Sequence, residues 1–112
     1  MTSQKVALIR IVTKVDLMGV NLTDVGLECL AKSLQQNKFL IELDLCNAYH
    51  AKSPNRLTEK IIPILTECLQ NNCTLTKLEL PRNLQSSKMS IEEAINNVRE
   101  KSRLPLIEVK GT

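Results

Sequence analysis

The chain has 112 residues, 43% apolar and 24% charged, with a formal net charge of +3. That length suits one domain with a single core, and that balance excludes an intrinsically disordered chain. Lys and Arg alternate with Asp and Glu along the whole sequence. With no Trp, one Phe (Phe39) and one Tyr (Tyr49), there is neither a basic face nor a stacking platform, so nucleic acid is not an expected partner. The opening Met1-Thr2-Ser3-Gln4-Lys5 leads into an apolar stretch broken by Arg10. It is too short to span a bilayer, and no secretory signal is expected. No membrane partner is expected, and the expected location is cytoplasmic or otherwise intracellular. Cys29, Cys46, Cys68 and Cys73 form no CxxC pair and match no common zinc spacing, so reduced thiols are expected.

A core almost without aromatics must be built from aliphatic side chains in regular rows, and the sequence contains such rows. Residues 1–11 form an amino-terminal lead-in or cap, where Ala7, Ile9 and Ile11 alternate into Val15 and Leu17. Val12-Thr-Lys-Val15-Asp-Leu17 then sets apolar residues at positions one, four and six of a short strand. The pattern returns in Leu40-Ile-Glu-Leu43-Asp-Leu45, in Leu75-Thr-Lys-Leu78-Glu-Leu80 and in Leu104-Pro-Leu-Ile107-Glu-Val109. Units therefore start at residues 12, 40, 75 and 104 within one domain, 1–112.

Between the strands lie helical segments. Leu30 and Leu34, Leu65 and Leu69, and Ala94 and Val98 are pairs four apart, each sharing one helix face. Asn37 and Asn72 stand three residues before the next unit. Pro63 fits the first turn of a helix beginning near Lys60, where no intrahelical donor is lost. Ser90-Ile-Glu-Glu93 reads as a capping box. Lys101 and Arg103 place positive charge at the carboxyl end of the last helix. The second unit is about seven residues longer than its neighbours, and the excess falls within Cys46–Arg56. Its polar residues and Pro54 predict a protruding loop.

With Leu22-Thr23-Asp24 and Gly26 between strand and helix, then Leu30 and Leu34, the stretch Val12 to Phe39 resembles a leucine-rich repeat. The unit spacing is similar to that of the ribonuclease-inhibitor-like class, found in NOD-like receptors and more loosely in tropomodulin. The resemblance covers roughly residues 12–110. It implies an α/β fold: a right-handed leucine-rich-repeat solenoid with about four parallel strands on the concave side and three helices on the convex side. It also implies Asn at position nine, bonding successive loops. Asn83 stands there in the third unit, while Val20 and Ala48 take the corresponding places in the first two. The implied role is a scaffold for protein binding.

In that architecture positions three and five face the concave side. Position five then forms a row of Asp16, Asp44, Glu79 and Glu108, with Lys14 and Lys77 at position three offsetting part of the repulsion. A protein partner with a basic surface is expected to meet this row. Tyr49, an isolated aromatic in the 46–56 loop, is a further candidate contact. The alternative is a small Cys/His-dependent enzyme or metal-binding regulator using Cys46 and His50, with Asp44 orienting the base. A nucleophilic thiolate needs such a base held in place by a third group, and His50 sits in the polar insertion. No enzyme activity, catalytic residue, metal site or cofactor is therefore expected. Only three residues follow Val109, so the last strand is expected to lack a cap, leaving self-association through that terminal unit open.

Overall fold

The computed structural model describes residues 13–17, 21–46 and 55–111. The element order is β1 (Lys14–Asp16), α1 (Asp24–Gln36), β2 (Glu42–Asp44), α2 (Ile61–Asn71), β3 (Lys77–Leu80), a 3-10 segment (Arg82–Ser87), α3 (Lys88–Lys101) and β4 (Glu108–Gly111). The strands are parallel and lie side by side in chain order. Each helix is thus the crossover that a parallel pair requires, and α1 packs on α2 and α2 on α3.

The helices form where the apolar spacing puts them. Thr23 starts α1 in extended backbone, its hydroxyl accepting the Gly26 N–H at 3.5 Å. Leu27, Ala31 and Leu34 then make one buried stripe. In α2, Ile61, Leu65, Cys68 and Leu69 are buried and Pro63 lies in the first turn, as expected. The strands contribute Leu43, Leu45, Leu78 and Leu80. Leu43, Leu78, Leu65 and Leu69 are each 2% exposed or less, which fits the proposed strand and helix faces.

Asparagines turn the chain from helix back to strand. The Asn37 side-chain oxygen accepts the Phe39 and Leu40 N–H groups at 2.8 and 2.6 Å. Asn72 does the same for Thr74 and Leu75 at 2.9 and 2.8 Å. Asn72 is fully buried and also donates to the Leu34 and Asn37 carbonyls. It therefore stitches its own turn to the previous one, with donor and acceptor both used.

At the third such turn the sequence reading is corrected. Val98 was expected on the buried face of α3, but it is 37% exposed and its neighbour Arg99 is fully buried. Arg99 Nε donates to Leu69 O at 2.8 Å, and Nη1 donates to Leu75 O at 2.7 Å and Pro105 O at 3.0 Å. No asparagine precedes this strand at the expected place, and the guanidinium, with its fork of donors, takes over the stitching. The capping box is corrected too. The 3-10 segment runs directly into α3 at Lys88, so Ser90 lies inside the first turn rather than at its cap.

The register of the last strand also differs from expectation. β1, β2 and β3 align as predicted, with Val15, Leu43 and Leu78 abreast. On β4, however, Leu78 pairs with Val109 and Lys77 with Glu108, a slip of two residues from the unit proposed to start at 104. A two-residue slip keeps every side chain on its own face, because side chains alternate with period two. Ile107 and Val109 are therefore buried in either register, and hydrophobic pattern alone cannot choose between them. Side chains of α3 choose. Asn96 donates to Ile107 O at 3.0 Å and accepts Ile107 N–H at 2.8 Å, and Glu92 Oε2 accepts Val109 N–H at 3.2 Å.

The ladder asparagine of the second unit is likewise displaced. Ala48 stands at position nine when residues are counted forward, but Asn55 performs the bonding: Nδ2 donates to Leu17 O at 2.6 Å and Oδ1 accepts Leu22 N–H at 2.8 Å. Asn83 donates to Leu57 O at 2.8 Å, as its position implied. The insertion precedes the asparagine, so counting back from Leu57-Thr58-Glu59, matched to Leu22-Thr23-Asp24, would have found Asn55. The end of the loop is anchored as well. Arg56 N bonds Leu22 O at 2.7 Å, and Asp24 accepts from the Thr58 N–H and hydroxyl at 2.9 and 2.5 Å. These bonds to Thr58, reinforced by Lys60, hold the Asp24 carboxyl below the usual carboxylate range.

Candidate functional site

Alternate strand residues point away from the helices, so one face of the sheet presents two charged rows. The first runs Lys14, Glu42, Lys77, Glu108 across β1 to β4. Glu42 lies between the two lysines, 3.8 Å from Lys14 Nζ and 3.5 Å from Lys77 Nζ. Opposite charges thus alternate at the strand spacing, and the row is largely self-neutralising. Lys14 and Lys77 were expected to serve the acidic row; among the described residues, their ion pairs within 4 Å are with Glu42 instead.

The second row runs Asp16, Asp44, Glu79, Lys110. Glu108 was expected here, and the slip on β4 moves it to the first row and brings Lys110 into its place. Glu108 and Lys110 remain 3.5 Å apart on the same strand. Asp44 and Glu79 are directly abreast. Carboxyl-to-carboxyl hydrogen bonding with Asp44 raises the Glu79 carboxyl above its ordinary value, helped by partial burial and the Asp44 charge and opposed by Lys110 and Lys14. Together Lys14, Glu42, Asp44, Lys77, Glu79 and Lys110 line a shallow depression floored by Leu43 and Leu78.

The raised carboxyl has a consequence for stability. A folded state that holds the Glu79 proton more tightly than the unfolded chain loses stability as pH rises from the ordinary glutamate range through the raised value. Glu79→Gln is therefore expected to stabilise the protein at neutral pH, by less than about 1 kcal/mol, the upper end for a cross-strand pair. The gain should shrink below the ordinary glutamate range. Thermal melts of both proteins between acidic and neutral pH test this, and a gain that grows toward acid pH would contradict it.

The other sequence candidates fall partly outside the described residues. Tyr49 and His50 lie outside the described residues, as do residues 1–11, proposed as lead-in or cap, and most of the 46–56 loop. Asp44 Oδ1 accepts the Cys46 N–H at 2.8 Å, a local turn at the end of β2. Cys68 is buried in α2, its Sγ donating to Ala31 O at 3.2 Å, and burial pushes its thiol up to about 11. Cys29 is exposed on α1, and all four cysteines are free. A thiol reagent should thus modify Cys29 first and Cys68 last in the folded protein, and count four groups in denaturant. Two or fewer groups without added oxidant would overturn the reduced assignment. Among the described residues, no group of three or more His, Cys, Asp or Glu side chains is placed to hold a metal ion. No described helix is long and apolar enough to cross a membrane.

The fold is similar to that of a solved structure described as leiomodin-1 actin-binding site 2. The TM-score is 0.66 at 20% sequence identity, covering 98% of this chain and 59% of that one. This chain therefore spans less than two thirds of the length of that similar structure. No protein-family model and no curated protein matches the sequence. At that identity the likeness establishes a shared fold. The residues Arg99, Asn55, Asn96 and Glu92, which bond one element to another, were not legible in the sequence, since each acts outside its own element.

Proposed function

We propose that the chain is a leucine-rich-repeat domain of the ribonuclease-inhibitor-like class, wound as a right-handed solenoid. On this reading it is a non-catalytic module that binds another protein through its concave strand face. The observation that carries this reading is the unequal balance of the two rows. Lysine and glutamate alternate in the first, whereas Asp16, Asp44 and Glu79 stand together in the second with Lys110 at one end. Adjacent like charges are disfavoured on neighbouring strands, and a cationic ridge on a partner would relieve them. The 46–56 loop with Tyr49 is proposed as a second contact. The actin-binding description of the similar structure supports a protein partner and makes actin the first to try.

The test compares the parent with D44K/E79K and, on the helical side, K32E. Binding to purified actin and capture from cell extract are measured at low and moderate salt. The double reversal should leave the fold intact, slow association and flatten its salt dependence, because exposed charges are screened over about 10 Å at 0.1 M salt. If D44K/E79K binds like the parent at low salt while K32E abolishes binding, the strand face is not the site.

A further inference from the structure

Parallel strands bond sideways through alternate residues, so the groups of each strand that face forward are taken up by the next. Leu17 N–H goes to Asp44 O, Leu45 N–H to Glu79 O, and Ile41 O accepts from Thr76 and Lys77. On β4, Glu108 N–H turns back to Thr76 O at 2.8 Å, which leaves the Ile107 carbonyl and the Val109 N–H facing outward where a fifth strand would bond. Both of these groups are already occupied. Asn96 donates to the Ile107 carbonyl and also accepts the Ile107 N–H, and Glu92 takes the Val109 N–H. Asn96 and Glu92 are four apart on α3, one turn above the other, and so match the two-residue step along β4.

We infer that Asn96 and Glu92 close the sheet at β4 and keep this edge from pairing with a second copy of the chain. Any strand added there must first displace two side chains that already satisfy the backbone, so its net gain in hydrogen bonds is small. An exposed strand edge otherwise invites such pairing.

Sedimentation velocity over a concentration series, together with amide exchange, tests the closure in the parent, E92A/N96A and E92Q. The parent should show no concentration-dependent protection of Val109. E92A/N96A should expose the edge, speed Val109 exchange roughly ten-fold in dilute solution, and dimerise on concentration with Val109 becoming protected. E92Q keeps an acceptor and should behave as the parent. If the double variant does not fold, E92A alone should still accelerate Val109 exchange. A parent that dimerises with concentration-dependent protection of Val109 overturns the inference. So does unchanged Val109 exchange in a folded E92A or E92A/N96A.

Discussion

Replacing Arg99 with methionine is expected to cost about 3 kcal/mol or more. Leu69 O, Leu75 O and Pro105 O each lose a donor, and an unsatisfied buried carbonyl costs roughly 1–3 kcal/mol. Part of this is offset, because burying the guanidinium is itself unfavourable. Burial lowers the Arg99 pKa, with Cys73 and Cys68 opposing, and its Nη2 has no partner among the described residues. Relief of that desolvation keeps the net loss below the sum of the three bonds. Arg99→Lys should recover only a fraction, since one ammonium cannot reach three carbonyls in a fixed fork. Denaturant midpoints for the three proteins check this. A methionine variant as stable as the parent would show that α3 and the β4 turn are held by apolar packing alone.

Leu78→Ala is expected to cost roughly 2–5 kcal/mol, from lost burial and the cavity left behind. Leu78 is 1% exposed and sits between Leu43 on one side and Val109 on the other. A domain of this size is stable by only about 5–15 kcal/mol, so a substantial unfolded population would follow. Val15→Ala supplies the control: it occupies the same row at the edge of the sheet and is only partly buried, so its loss should be distinctly smaller. Equal losses at both positions, measured by the same denaturant series, would contradict the core described here.

Much of the fold follows from local pattern. The recurrence of Val15, Leu43 and Leu78 with an acidic residue next in the chain predicts three strands in mutual register. Four-residue spacing in α1 and α2 predicts their buried faces. Pro63 and the asparagines at 37 and 72 mark helix boundaries through backbone chemistry that acts within a few residues. The open face carrying Asp16, Asp44 and Glu79 follows from strand alternation alone.

Where the pattern is degenerate, bonds between elements decide. Period-two alternation is blind to a two-residue slip, so only Asn96 and Glu92, reaching from α3, set β4 and exchange Glu108 for Lys110 in the acidic row. The insertion within 46–56 hides the ladder asparagine from a forward count, and the bonds of Asn55 to Leu17 and Leu22 reveal it. A buried arginine is the opposite of what composition predicts for that residue type. Arg99 is buried because three carbonyls from separate parts of the chain converge on it. The sequence by itself determined which side chains of the strands and of α1 and α2 face inward, since that depends on neighbours along the chain. Only the tertiary structure decided the register of β4 and the burial of Arg99, because those depend on hydrogen bonds between residues that meet only on folding.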